Sequence, residues 1–193
     1  MIDDSGSEPI LMDLGSVQES PTAITSRSVA IATQDTAAEH STMPYRAPEL
    51  FDVKTGTVID TKVDVWSLGC TLYACLVGKS PFEMRSDETG GSLSMCVLGG
   101  DWRFPDEGRR GAGNNSKGKN AAGAGAGAAA GGPGASGSAA GAAAGDDEGA
   151  INELIKDIVR HCLNVEPSER PDIDELIEMV EEVIEELPED GGP

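Results

Sequence analysis

The residues able to do chemistry are few, and they come in a fixed order. Asp13 sits in Asp13-Leu14-Gly15 at the end of the short apolar run 9–12, the pattern of a strand that delivers a polar side chain into a turn. Downstream come Tyr45-Arg46-Ala47-Pro48-Glu49, then Asp64-Val65-Trp66-Ser67-Leu68-Gly69, and finally Arg170-Pro171 after the turn begun by Glu166-Pro167. Alone, Asp13 reads as a strand-end aspartate, because so short a motif recurs by chance. It is the ordered set that is specific. Asp64 lies in an otherwise apolar run and must find hydrogen-bond donors if buried. Cys70, Cys75, Cys96 and Cys162 fall in apolar stretches and form no C-x-x-C pair, which argues against a thiolate zinc site or redox couple, so they read as reduced core cysteines. His40 and His161 stand alone and read as hydrogen-bond partners rather than catalysts. What remains is oxygen chemistry, from carboxylates and hydroxyls.

Several elements must position these groups. The run 63–77 is apolar on nearly every side and is closed by Gly78 and Pro81, the mark of a buried helix. It is the expected central post, with Trp66 and Tyr73 in the core. Ile151, Leu154, Ile155, Ile158, Val159, Cys162 and Leu163 recur at three- and four-residue steps, on one face of a helix. A second amphipathic helix follows, with Ile173, Leu176, Ile177, Val180, Ile184 and Leu187 as its stripe. Two short helices cannot bury both stripes alone, so they are expected to dock on the 63–77 helix. Residues 16–44 are rich in Ser, Thr, Gln and Ala without a sustained apolar face, and read as a loop with one short helical turn near 35–39.

Between the two helical parts, residues 121–145 hold 22 Gly or Ala out of 25, a composition with almost nothing to bury. A disordered Gly/Ala-rich insertion is expected over 108–150, looped out of one discontinuous domain, since closure entropy grows slowly with length. The four segments are therefore 1–107, the insertion 108–150, 151–187 and a tail 188–193. The 193 residues carry 14 basic and 34 acidic side chains, for a net charge of -20, so a phosphate backbone would repel the chain and nucleic acid is not an expected partner. Ten acidic residues and no basic one lie between Asp172 and Asp190, making the outer face of the last helix an acidic ridge. The longest membrane candidate, 65–77, is too short to span a bilayer, so no transmembrane segment is expected. Asp3, Asp4 and Glu8 precede any apolar run, and Ile2 stands where N-myristoylation needs Gly. An intracellular, cytoplasmic chain is the expectation.

The four motifs resemble the C-terminal lobe of a eukaryotic protein kinase, in which the D-F-G Asp and the A-P-E motif bound the activation segment; Leu14 replaces the usual Phe. Leu11-Met12-Asp13-Leu14-Gly15-Ser16, Gln34-Asp35, Ala37-Ala38 and the run 42–50 resemble the Numb-associated kinase family, and within it the myristoylated and palmitoylated serine/threonine kinase branch. The likeness covers about residues 8–107 and 151–187, and implies a mainly α, kinase C-lobe-like fold with a short N-terminal strand. By this resemblance Asp13 is the Mg2+ ligand that bridges ATP phosphates, with Gly15 turning its backbone, so ATP and Mg2+ are the implied cofactors. Thr42 would hydrogen-bond the catalytic Asp and Lys, while Met43, Pro44 and Tyr45 shape the pocket of a protein substrate and favour Ser/Thr over Tyr. Glu49 and Arg170 match a buried ion pair, and Asp64 an organiser of the catalytic loop. Membrane association in the endomembrane system belongs to the resembling branch.

Phosphoryl transfer also needs a Gly-rich lid, a strand Lys paired with a helix Glu, and a catalytic-loop Asp with its Asn. The residues before Asp13 contain no Lys, no Gly-rich loop and no H-R-D-like triplet, so the expectation is a partial serine/threonine kinase, inactive as this chain alone. The alternative is a non-catalytic half-kinase that binds a protein partner. Ser16, Ser41 and Thr42 are candidate phosphosites, with no basic cluster identified to receive a phosphate.

Overall fold

The computed structural model describes residues 4–6, 8–107 and 151–187. The Gly/Ala-rich insertion expected over 108–150 and the tail 188–193 lie outside them. The described part is mainly helical, with six α-helices and one two-stranded sheet: β1 Thr22–Ala23, α1 Arg27–His40, β2 Val58–Ile59, α2 Lys62–Val77, α3 Pro81–Thr89, α4 Leu93–Gly99, α5 Glu153–Cys162 and α6 Ile173–Glu186.

Helix α2 is the post around which the rest is built. Gly78 ends it in the left-handed conformation, φ 90°, and donates its N–H to Ala74 O at 2.8 Å, the C-terminal stop that only glycine reaches without strain. Trp66, Cys70 and Tyr73 are fully buried on it. Trp66 stacks on Phe82 of α3 with ring centroids 5.3 Å apart, and Tyr73 stacks on Phe104 at 5.0 Å while its hydroxyl donates to Arg103 O at 2.7 Å. Val97 of α4 and Val159 of α5 complete this core. Helix α5 comes so close that a Cβ on Gly69 would stand 2.5 Å from Cys162 Cβ. The approach requires glycine there, and it lets α5 bury Ile158, Val159 and Cys162.

Four expectations meet a different arrangement. The short strand lies at Thr22–Ala23, antiparallel to β2 with Thr22 opposite Ile59, and not at 9–12, where Ile10, Leu11 and Met12 are half exposed or more and Pro9 carries only an isolated bridge. A strand is stable only as part of a ladder. Residues 27–40, read as loop with one helical turn, are a full helix. Ser26 caps it by accepting the Val29 N–H, and Ala30 alone is buried, against Ile24 and Val53; so narrow a face leaves little periodic signal. Helix α2 is not buried all round, because Asp64, Leu68 and Cys75 are exposed along one side. Cys75 is thus not a core cysteine.

The fourth difference is in α6. A capping box starts it: Asp172 accepts the N–H groups of Asp174 and Glu175, and Glu175 accepts the Asp172 N–H at 2.8 Å. Leu176 is buried with Met179 and Val183 beside it, while Ile173, Ile177, Val180 and Ile184 stay exposed. The apolar arc is wider than the surface α2 and α5 offer it, so half of it borders an open apolar groove of about 450 Å3 with Leu68 and Leu72.

Candidate functional site

The central feature is the segment 42–50 and its attachment to the helical base. Two 3-10 turns, Met43–Tyr45 and Pro48–Leu50, each begin beside a proline that supplies the required φ. In the first, Thr42 O accepts from Tyr45 N at 2.9 Å. Thr42 and Met43 are exposed and Pro44 is buried beneath them, so the segment presents its first two side chains outward on a fixed floor. Tyr45 O accepts the Ser67 hydroxyl of α2 at 2.9 Å. Burial pushes the Tyr45 hydroxyl pKa above its ordinary value, with the charge of Glu83 adding to the rise.

Glu49 and Arg170, far apart in sequence, form a bidentate pair with Nη1–Oε1 at 2.7 Å and Nη2–Oε2 at 2.8 Å. Arg170 also donates Nε to Asn164 O at 2.7 Å, Nη1 to Lys62 O at 2.9 Å and Nη2 to Val165 O at 3.1 Å. All five guanidinium hydrogens are engaged, and the group lies 4.9 Å over the Trp66 ring. The Lys62 ammonium returns a bond to Arg170 O at 2.7 Å. A charge this deep is tolerable only when every donor is satisfied.

Asp13 lies apart from this junction. It is exposed and holds a left-handed backbone, φ 63° and ψ 61°, at the head of the turn Leu14–Ser16, a conformation aspartate tolerates better than most residues. A Cβ on Gly15 would meet only Asp13 Oδ1, at an ordinary 3.6 Å. Among the described residues no cluster of three or more His, Cys, Asp or Glu could hold a metal. Asp13 thus offers one exposed carboxylate, a hard oxygen donor of the type that hard divalent ions take. Asp64 is exposed, so no buried carboxylate has to be satisfied. It borders a cavity of about 360 Å3 of mixed lining, with Ser16, His40, Asp60 and Thr61 beside Leu50, Ile59 and Val63.

Sequence reasoning missed Ser67 and Arg46. Ser67 stands in a run that reads as solid core, and a hydroxyl there was the available signal. Two buried thiols are inert by environment: burial holds the Cys162 pKa up at about 11, and burial followed by the nearby Cys162 raises that of Cys70.

The protein kinase domain family matches this chain over residues 1–180. The chain belongs to that family. Serine/threonine-protein kinase ppk13 of Schizosaccharomyces pombe is 46% identical over 105 residues, 54% of this chain and 30% of the relative. Serine/threonine-protein kinase 16 of Mus musculus is 44% identical over 97 residues, 50% of this chain and 31% of the relative. Serine/threonine-protein kinase ENV7 of Saccharomyces cerevisiae is 26% identical over 175 residues, which take in 91% of this chain and 37% of the relative. This kinase-family chain therefore spans about a third of the length of the relatives it matches. Among the described residues no helix is long and apolar enough to cross a membrane.

Proposed function

We propose that this chain is the C-lobe portion of a serine/threonine protein kinase of the Numb-associated family, in its myristoylated and palmitoylated branch. Residues 1–107 and 151–187 are the two pieces of that lobe. The complete enzyme moves the γ-phosphoryl group of ATP to Ser or Thr hydroxyls of proteins, acting in the cytoplasm or on endomembranes through peripheral attachment. The observation that carries the reading is the seating of 42–50, bolted to α2 through Ser67 and to the 164–170 turn through Glu49 and Arg170. A peptide substrate needs a floor that does not move, because positioning supplies much of the catalysis in phosphoryl transfer.

In this reading Thr42, Met43, Pro44 and Tyr45 hold the substrate segment, and Asp64 steadies the catalytic loop from the wall of the cavity it borders. Asp13, preceding the turn Leu14–Ser16, holds one position on Mg2+. When bound, Mg2+ neutralises charge on the phosphates. Residues 1–193 include no H-R-D-like triplet, so the chain alone is expected to transfer no phosphate above an Asp13→Ala control. The decisive experiment fuses residues 8–187 behind the upstream part of serine/threonine-protein kinase 16. Phosphorylation of a Ser/Thr peptide that Asp13→Ala abolishes supports the reading. A folded but inactive fusion overturns it.

The open groove between α2 and α6 favours a second reading, a non-catalytic module that binds a protein partner on that apolar surface. Binding of a partner by the chain, lost in Ile177→Asp while 42–50 is untouched, separates the two.

A further inference from the structure

Helix α6 carries two apolar stripes, and the base of the fold uses one of them. Leu176, Met179 and Val183 pack inward, whereas Ile173, Ile177, Val180 and Ile184 are between 36% and 64% exposed. The exposed four recur at steps of four, three and four residues, the 3.5-residue seam along which one helix packs on another. A strand presents its side chains at a period of two and does not follow such a seam. Across the open groove stand Leu68 and Leu72 of α2, one turn apart, and Ile158 and Cys162 of α5 also line it. The one charged residue in the lining is Glu181, which flanks the seam where paired helices place the charges that choose a partner. Asp174 repeats that position one heptad earlier and is exposed too. No basic residue occurs between Asp172 and Asp190. The buried cations are spent elsewhere: Lys156 meets Asp106 and Glu153, Arg170 meets Glu49, and Arg46 donates to Ser41 at the end of α1.

Charge and side-chain size decide what covers this groove. Residues 108–150 and 188–193 of the chain itself hold no Val, Ile, Leu, Met or aromatic residue, and have nothing to fill it with. A second copy would set one acidic rim against another in a chain of net charge -20, and like charges across an interface work against association. An anionic lipid surface meets the same repulsion, since helices that lie on membranes carry Lys and Arg beside their apolar face. We propose that the groove between α2 and α6 docks a cationic amphipathic helix of a partner protein. Its apolar seam lies between Leu68 and Ile177, and its Lys or Arg side chains face Asp174 and Glu181. The inference rests on the second reading above and adds the chemistry of the partner.

The test titrates the full chain of 193 residues into two labelled helical peptides of about 21 residues, three heptads with Leu at both seam positions. One peptide carries Lys and the other Glu at the flanking positions. Fluorescence anisotropy should show the Lys peptide binding about tenfold tighter, with the difference shrinking as salt screens the rim. Ile177→Asp should abolish binding, and the double variant Asp174→Lys, Glu181→Lys should reverse the preference. All three positions are exposed, and circular dichroism checks that each variant is folded. Equal binding of the two peptides, lost in Ile177→Asp, overturns the inference and leaves the groove reading standing, as does binding of neither. Binding that survives Ile177→Asp overturns both. Dimerisation of the chain, or its capture by phosphatidylserine vesicles, likewise overturns the inference when Ile177→Asp removes it, giving the groove to a second copy or to lipid. Loss of Lys-peptide binding in the fusion with the upstream part of serine/threonine-protein kinase 16 gives the groove to a segment of a longer chain and overturns it too.

Discussion

Two junctions join distant parts of this chain, and they are built differently. At the first, Arg170 is sealed from water and saturates all five donors on Glu49 and three carbonyls. At the second, which ties residues 106–107 to α5, the Lys156 side chain is only 3% exposed, but Asp106 is 40% and Glu153 69% exposed. Arg160 adds ion pairs to Glu107 and Asp157 at the surface. One junction is a rivet and the other a wet clasp. The difference teaches that ion pairs of similar length do unequal work, because a carboxylate that can return to water loses little when its partner goes.

The largest effect expected from breaking this contrast comes from Glu49→Ala, which strands the Arg170 guanidinium among carbonyls. It should destabilise the fold by about 3–5 kcal/mol, read as a lowered urea midpoint at constant slope. Lys156→Met should cost less, about 1–2 kcal/mol, because Asp106 and Glu153 rehydrate. An equal loss in both variants would erase the distinction.

The pH dependence sharpens it further. The hydrogen bond from Lys156 holds the Asp106 carboxyl below its ordinary pKa, and Asp106 in turn raises that of Lys156. The carboxylate contribution is present above its unfolded pKa of about 4 and is lost as pH falls through the lower folded value. The Lys156 contribution is full below about 10.5 and is lost as pH rises through the higher folded value. Stability lost by Lys156→Met should therefore be constant between those limits and shrink outside them, as denaturant midpoints across pH would record. The smallest effect belongs to the exposed Lys54–Asp52 pair at 2.6 Å: Asp52→Asn should move stability by less than about 0.5 kcal/mol.

Much of this architecture was legible in the residues, for physical reasons that also explain the gaps. Helices α2 and α5 announce themselves because their apolar residues are dense and large. Helix α6 was equally visible, yet periodicity cannot say which half of a wide apolar arc finds a neighbour, so exposed Ile173 and Ile177 were read as buried. Helix α1 was missed because its buried face is one alanine; the Ser26 cap before an Ala-rich run was the signal to follow. Glu49 and Arg170 were singled out through their motifs, whereas Arg46 shows its character only once α1 has brought Ser41 against it. No spacing rule ties a guanidinium to a helix end five residues away.

The rivet also sets a timetable. Glu49 and Arg170 are 121 positions apart, and a ribosome adding 5–20 residues per second needs roughly 6–24 s to cover that distance. For most of that interval Gly69 and its neighbours on α2 have been made without α5 to cover them, a bare apolar ridge on a nascent chain. The fold thus stays open during synthesis for longer than its size suggests, and it locks only when its last turn before α6 leaves the exit tunnel.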